Sequence, residues 1–306
     1  MLVLVAGATG HLGQQLIDSL ASRGHRVRAL GRNPSKLEAS QLAKLESFVQ
    51  SETYYDIAAL DRACAGVDAV ICAYFGLPEL QLEGNLLLLR AAERAGVTKF
   101  VASTWNCDWS KMELGQHENY DPLIALRRQV ELAFDIKPIY IMSGVLAEVL
   151  FCLPGRGDFV PANNGMWDPA RKALEIWGSG NEVWHWTTER DAAEFAAAIV
   201  SHDDASQGGV WRVCSGSNSL RELAATYEAV REVKVDIQTK GPVEKLRDVA
   251  LQARKAGSLR GFWGYIGLFY QLYVADGTWG QMELDNDRLD VRVTSFAEFL
   301  GSNPEV

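Results

Sequence analysis

The sequence predicts an α/β fold in which helices cover both faces of a parallel sheet. The first observation is the uninterrupted apolar run Leu2–Ala6, which ends at a glycine and is typical of a strand buried on both faces. The second is the helical spacing of apolar residues over 12–20, which stops at Gly24. A second apolar run at 27–30 completes a unit in which a helix joins two parallel strands.

The same alternation continues through the first half of the chain. Short apolar runs predict further strands at 47–49, 69–73, 100–103 and 139–142, and helix-forming stretches predict helices at 85–95 and 123–134. Repeated units of this kind build a doubly wound parallel sheet of the Rossmann type. We therefore predict a sheet domain over residues 1–150.

Beyond residue 150 the chain is richer in glycine, proline and asparagine, and we predict a smaller C-terminal lobe over 151–306. A capping box at Thr188 and Asp191 opens a helix over 191–200, and a strand over 210–214 follows. Segments near 187–216 are therefore expected to return to the first sheet, so that the two domains interleave. Further helices are predicted at 221–232, at 261–274 and after the cap formed by Ser295 and Glu298.

Composition excludes several classes of protein. The formal net charge of −9 disfavours binding to nucleic acid, because the phosphate backbone would be repelled. Five cysteines without C-x-x-C spacing indicate a reduced, cytoplasmic compartment, and we predict no metal site. The N-terminus has no basic, cleavable leader, and the longest apolar stretch of the central region is too short and too polar to span a membrane. We expect a soluble protein with no membrane partner, in an oligomeric state that the sequence leaves open.

A glycine-rich turn joins the first strand to the first helix. In this position Gly7 permits a tight turn, Gly10 lets the backbone approach a pyrophosphate, and Gly13 lets the helix pack closely on the sheet. The start of the helix then offers unpaired N–H groups and a partial positive charge to the phosphates. The turn therefore predicts that a dinucleotide binds here.

The residues after the second strand indicate which dinucleotide. An acidic side chain there would hold a ribose 2′-hydroxyl, but this chain has Gly31 and Arg32 instead. Arg32 can meet a 2′-phosphate, and Asn33 caps a short turn that carries Lys36. We predict NADP(H) as the cofactor; the alternative is that Arg32 and Lys36 are ordinary solvated charges.

Several segments together carry a family resemblance. They are the glycine turn, the pair of Arg32 and Lys36, and the stretches 66–70, 91–103 and 190–195. On these residues the chain resembles the NmrA-like branch of atypical short-chain dehydrogenases, which includes the isoflavone-reductase-like proteins. The resemblance implies cofactor contacts in the turn and at the ends of three strands, at Thr9, Gly10, His11, Leu12, Ala73, Tyr74, Phe75, Ser103, Thr104, Trp105, Gly144 and Val145.

The proton donor is harder to identify. Many short-chain dehydrogenases use a tyrosine whose pKa is lowered by a lysine four residues later, but Tyr120 is followed at that place by Ile124. The catalytic lysine that the resemblance implies in the following helix is also absent, because the chain has apolar residues at 123–125. The remaining candidates for a catalytic acid are His117 and Tyr120, with Lys111 weaker; a plain surface histidine is the alternative for His117.

Aromatic residues in the second half suggest the substrate. Those in loops or beside glycines are candidates to line an apolar cleft for a planar aromatic or heterocyclic molecule, although a share of them is expected to be plain packing. They are Trp105, Trp109, Phe151, Trp167, Trp177, Phe262, Trp263 and Tyr265. His185, between two tryptophans, is expected to be an alternating strand residue.

Three functions follow from these observations. The leading hypothesis is an NADPH-dependent reductase of a small aromatic or heterocyclic metabolite, acting on a C=C, C=N or C=O bond in secondary metabolism. The second is a regulator of a protein partner that binds NAD(P) and has no activity, which the missing lysine favours. The third is an isomerase or cyclase that uses NADP(H) in a transient redox step.

Overall fold

Seven parallel strands form the central sheet of a computed structural model, which describes residues 1–157 and 159–306. The strands run, in chain order, β1 (Leu2–Ala6), β2 (Arg26–Gly31), β3 (Leu45–Gln50), β4 (Ala69–Cys72), β5 (Lys99–Val101), β6 (Ile139–Met142), β7 (Val145–Leu146), β8 (Trp167–Asp168), β9 (Ala173–Trp177), β10 (Val183–Thr187), β11 (Gly209–Arg212), β12 (Gly216–Ser219) and β13 (Asp236–Gly241). The helices are α1 (His11–Ser22), α2 (Ala39–Leu42), α3 (Ile57–Cys64), α4 (Asn85–Arg94), α5 (Asp121–Ala133), α6 (Ala147–Leu150), α7 (Glu189–Ser201), α8 (Leu220–Arg231), α9 (Val243–Ala256), α10 (Ile266–Ala275) and α11 (Phe296–Ser302).

The central sheet has the order β11-β6-β5-β4-β1-β2-β3. Each strand in it pairs in parallel with its neighbours. The chain starts in the middle, winds outward to β3, crosses back to β4 and then continues to β6. This doubly wound topology confirms the predicted fold class.

Strand β1 is buried on both faces, as its apolar run predicts. Its residues alternate between two hydrophobic clusters: Leu2 and Leu4 face one, and Val3 and Val5 face the other. Helices α3 and α4 cover the first face, and α1 packs against α7 on the second. Apolar side chains on both sides of the sheet therefore fix the strand in the centre of the fold.

The Thr188 side chain caps α7, because it accepts a hydrogen bond from the Asp191 N–H at 3.0 Å. The reciprocal bond of the predicted capping box is not formed, because the Thr188 N–H donates to the Ser215 hydroxyl at 3.1 Å and not to Asp191. The strand β11 that follows α7 lies beside β6 at the edge of the central sheet. The boundary between a sheet domain over 1–150 and a substrate lobe over 151–306 stays a prediction.

The remaining strands form two small sheets, with orders β12-β10-β7 and β13-β9-β8. Helices α9 and α10 pack on each other through an apolar cluster that contains Leu246, Phe262 and Phe269. The predicted single helix over 261–274 was wrong at its start, where a short 3-10 turn precedes α10. Glycines at 261 and 264 disfavour an α-helix there. Helix α9 was not predicted.

In the part of the chain that the structure describes, no helix is long and apolar enough to cross a lipid bilayer.

Gly144 joins β6 of the central sheet to β7 of the small β12-β10-β7 sheet. Its φ of +68° is one that L side chains rarely adopt, and a Cβ there would lie 2.0 Å from the main-chain oxygen of His185. The two backbones therefore cross with no space between them for a side chain. Only glycine satisfies both conditions.

We predict that Gly144→Ala destabilises the protein by roughly 2–4 kcal/mol, because strain and overlap with His185 act together. The measurement is urea unfolding followed by circular dichroism. Gly301→Ala in α11 is the control, since a Cβ there meets nothing within 4 Å and alanine is the better helix former. Equal stability of the two variants would contradict the close crossing.

Candidate functional site

The glycine-rich turn adopts the tight conformation that the sequence predicts. Gly7 has a φ of +82°, and a Cβ on it would lie 2.7 Å from the main-chain oxygen of Ala73. A Cβ on Gly13 would lie 2.2 Å from the oxygen of Gly7. The Gly10 N–H donates to that same oxygen at 3.0 Å and closes the turn. A side chain at Gly13 would therefore push α1 away from the turn, and one at Gly7 would overlap the segment that follows β4.

The start of α1 has the properties of an anion site. Its N-cap is Gly10, and within the described chain no side chain caps the helix and no acidic residue lies in its first turn. Gly10 and His11 are exposed, while Thr9 and Leu12 are half-buried. Main-chain N–H groups at this end are thus open to a phosphate group. These are the properties that the sequence-based prediction of a pyrophosphate site requires.

Basic side chains lie beyond the end of β2. Arg32 is exposed, and its guanidinium carbon lies 5.0 Å from the centre of the Tyr54 ring. Asn33 caps a 3-10 turn by accepting from the Ser35 N–H at 3.0 Å. Lys36 lies exposed in that turn. Two cations and a rigid cap therefore stand at the edge of the sheet where a 2′-phosphate would need them.

The residues after β4 differ in their accessibility. Ala73 is half-buried, Tyr74 is buried, and Phe75 is 79% exposed. The Tyr74 ring packs edge-on against Tyr54 at 5.0 Å, which connects it with the residue beneath Arg32. Of these three predicted contacts, Ala73 and Phe75 are accessible to solvent, whereas the Tyr74 side chain is packed in the interior.

The residues after β5 are largely committed to hydrogen bonds inside the protein. The Ser103 hydroxyl donates to the main-chain oxygen of Tyr74. Thr104 is 2% exposed, and its hydroxyl donates to the oxygen of Ile141 at 3.2 Å and accepts from the Ile141 N–H at 2.8 Å. Trp105 is half-buried against the core. These side chains hold the ends of β4, β5 and β6 together.

A cavity of about 250 Å³ opens beyond the carboxyl end of β6. Gly144 lines it, as do the aromatic side chains of Trp184 and Trp279. Val145, the other predicted contact at this strand end, is 6% exposed and pairs with Trp186 in the β7–β10 ladder. The cavity therefore lies between the carboxyl end of β6, strand β10 and the segment after α10, with mostly apolar walls.

His185 and Asp108 contribute polar groups to the cavity wall. The Met282 N–H donates to Nε2 of His185 at 3.1 Å, so that Nδ1 carries the proton and donates to the Ser217 hydroxyl at 2.8 Å. Burial lowers the pKa of His185, which keeps the ring neutral. This neutral histidine ties the segment after α10 to β10, and its place in a strand confirms the prediction.

The two predicted proton donors lie deep inside the protein. His117 and Tyr120 are each 0% exposed and their rings stack at 4.4 Å. The Tyr120 hydroxyl donates to Oδ1 of Asn106 at 2.8 Å, whereas in the described chain neither nitrogen of His117 has a partner. Neither side chain reaches the cavity surface. A catalytic role for the pair stays a prediction, and the burial does not favour direct contact with a substrate.

Most of the aromatic residues expected in a cleft are core residues. Five of them are at most 5% exposed, namely Trp109, Phe151, Trp167, Phe262 and Tyr265. Trp184 and Trp279, which do line the cavity, were missed. The available signal for Trp279 was its position between Gly277 and Gly280.

We predict that His117 makes the protein less stable in acid. Burial lowers its pKa from the ordinary 6.5 to about 3, so below pH 6.5 the unfolded chain binds a proton that the folded chain does not. Stability should fall by roughly 1 kcal/mol per pH unit between pH 6.5 and 3 from this group. Urea unfolding across this range should show a shallower slope for His117→Leu than for the wild type. Identical slopes for His117→Leu and the wild type would refute the assignment.

The sequence of this chain is similar to those of a known protein family. A model of the NmrA-like family matches residues 1–271. Phenylcoumaran benzylic ether reductase IRL1 of Ginkgo biloba is 27% identical over 237 residues, which is 74% of this chain and 74% of that protein. Probable pinoresinol-lariciresinol reductase 3 of Arabidopsis thaliana is 26% identical over 239 residues, 76% of this chain and 74% of its own.

Solved structures have the same fold. A crystal structure of isoflavone reductase superposes with a TM-score of 0.77 at 19% identity and covers 98% of both chains. The binary complex of leucoanthocyanidin reductase with NADPH from Vitis vinifera gives 0.74 at 17% identity and covers 99% of both. The family match extends from the glycine-rich turn into α10 and includes the cavity residues from Cys107 to His185, so the chain belongs to the NmrA-like family.

Proposed function

We propose that the protein is an NADP(H)-dependent reductase of a small aromatic or heterocyclic metabolite, and that it acts on a C=C, C=N or C=O bond. The observation that carries this proposal is the position of the cavity. Gly7 and Gly144 follow β1 and β6, whose carboxyl ends lie at the same edge of the parallel sheet. Gly144 also lines the aromatic cavity. A dinucleotide held at the turn and a substrate in the cavity would share one edge.

The residues of this chain that would hold the cofactor fall into three groups. The turn from Thr9 to Gly13 receives the pyrophosphate through main-chain N–H groups at the start of α1. Arg32, Asn33 and Lys36 receive the 2′-phosphate. The strand ends support the rest, through Ala73, Tyr74, Phe75, Ser103, Thr104, Trp105, Gly144 and Val145. The related leucoanthocyanidin reductase was solved with NADPH, which supports this cofactor.

When bound, the reduced cofactor supplies the hydride. The protein's part is to hold the substrate in register and to exclude water. Trp184 and Trp279 give the cavity two aromatic walls, and the neutral His185 closes one side by its hydrogen bond to Met282. Aromatic walls suit the substrates named in the relatives, which are phenylcoumaran and pinoresinol-lariciresinol.

For the proton that completes the reduction, Tyr120 and His117 stay our candidates. Tyr120 bonds to Asn106, which precedes the cavity residue Cys107 in the chain. A proton from Tyr120 would therefore reach a substrate by way of Asn106. Turnover that survives both Tyr120→Phe and His117→Ala would reject the pair.

A regulator without turnover is the second candidate. The absence of the family lysine at 123–125 and the burial of both candidate acids favour it. Such a protein would bind NADP(H) at the same turn and would present the bound state to a protein partner. Consumption of NADPH separates the two functions.

We expect the protein to consume NADPH in the presence of at least one aromatic enone, imine or aldehyde. Loss of absorbance at 340 nm across a panel of such compounds measures this. Turnover with NADH should be at least tenfold slower, because its ribose lacks the phosphate that Arg32 and Lys36 would receive. NADPH binding without consumption by any compound would favour the regulator.

We expect Arg32→Ala to weaken NADPH binding by roughly 10- to 100-fold and to leave NADH binding unchanged, because only NADPH carries the 2′-phosphate. Isothermal titration with both dinucleotides measures the effect. Arg26→Ala is the matched control, since Arg26 begins the same strand at the opposite edge of the sheet and pairs with Glu46 at 2.9 Å. An equal loss for NADH would show that Arg32 does not read the phosphate.

A further inference from the structure

Asp108 is a buried carboxylate in the wall of the cavity. Only 7% of the residue is exposed, and it follows the strand β5 in the loop that also carries Cys107. Its Oδ1 accepts from the Ser110 N–H at 2.9 Å and from the Ser110 hydroxyl at 2.5 Å. Its Oδ2 accepts from Nε of Arg212 at 2.6 Å. A carboxylate has about four acceptor positions, so three bonds leave one for a ligand.

The charge of Asp108 is balanced by Arg212. The guanidinium also donates to the Ser110 hydroxyl at 3.1 Å, and the main chain of Arg212 is held by Asp285. Burial by itself would raise the pKa of Asp108, but the hydrogen bonds from Ser110 and Arg212 outweigh it and lower the pKa. Asp108 is therefore ionised at neutral pH, and the Arg212 guanidinium that pairs with it neutralises this charge beside the cavity wall.

This balance decides what kind of group the cavity accepts. An ammonium group would gain little, because Arg212 cancels most of the attraction from Asp108. An ether or a second carboxylate would bring no donor to the remaining acceptor position. A neutral hydroxyl group donates to it without adding charge, and a charge-assisted hydrogen bond of this type is among the stronger ones.

Among the other polar residues of the wall, which include Gln281, the histidine does not compete for this role. His185 uses both ring nitrogens inside the protein, with Met282 and Ser217. Trp184 and Trp279 line the same cavity and offer aromatic faces for a ring. Asp108 is thus an acceptor placed in an aromatic enclosure.

We propose that Asp108 selects the substrate by accepting a hydrogen bond from the hydroxyl group of a neutral, hydroxylated aromatic ring. The proposal rests on the proposed function only in taking this cavity as the substrate site. Asp108 is a specificity residue in this account and transfers no proton.

The test compares three probes that differ in one group: 4-phenylphenol, its methyl ether and 4-phenylbenzylamine. Binding to the protein saturated with NADP⁺ is followed by quenching of tryptophan fluorescence. We expect the phenol to bind at least tenfold more tightly than the ether and more tightly than the amine. Equal binding of phenol and ether, tighter binding of the amine, or binding of none of the probes would overturn the proposal.

Variants test whether Asp108 causes the preference for the phenol over the ether. Asp108→Asn should reduce the preference for phenol over ether to less than threefold. Glu118→Gln is the matched control and should retain it, because Glu118 pairs with Arg254 at 2.9 Å with nearly the same side-chain exposure, 8% and 24% against 6% and 26% for Asp108 and Arg212. A preference that survives in Asp108→Asn would overturn the assignment.

If Asp108→Asn does not fold, the proposal is tested with Arg212→Gln instead. Removing the balancing charge should turn the preference from the phenol to the amine, and an unchanged preference would overturn the proposal. The binding readout does not depend on turnover. A phenol preference without NADPH consumption by any compound would leave this inference standing and would remove the proposed reductase activity.

Discussion

The corner at the carboxyl end of β6 is the constraint on which the site depends. There the main-chain oxygen of Asn106 accepts hydrogen bonds from the N–H groups of Ser143 and Gly144, at 2.9 and 3.1 Å. The backbone at Gly144 also lies directly against His185. One short segment thus joins the loop after β5, the end of β6 and strand β10. The cavity exists because these three backbones meet without intervening side chains.

Polar groups around this corner are divided between two environments. On the cavity side, Asp108 keeps its charge because Arg212 and Ser110 hydrogen-bond to it. On the inner side, Tyr120 and His117 lie in an aromatic cluster with Tyr270 and Trp279, where burial favours their neutral forms. Hydrogen bonds thus preserve the charge of Asp108 at the cavity wall, whereas burial suppresses charge on His117 and Tyr120 in the aromatic cluster.

The features that sequence reasoning predicted well are local in the chain. The strand at Leu2–Ala6 follows from an apolar run, and the turn at Gly7 follows from glycines whose conformation and close contacts the structure shows to be required. The helix after Thr188 follows from its cap. Helix α9 was missed because its pattern is mostly polar, with Leu246 and Ala250 as its buried positions. It is stabilised by packing on α10, which a local window does not contain.

The sequence by itself determined the doubly wound sheet, the glycine-rich turn and the basic residues after β2, because each rests on the spacing or conformational limits of residues close together in the chain. The tertiary structure decided which side chains surround the cavity. Asp108 and Arg212 are 104 residues apart in the chain, and they meet only because β11 pairs with β6 and brings Arg212 to the loop after β5. The same folding buried Tyr120 and His117. Burial and charge pairing depend on contacts between distant segments, and no periodicity in the sequence encodes them.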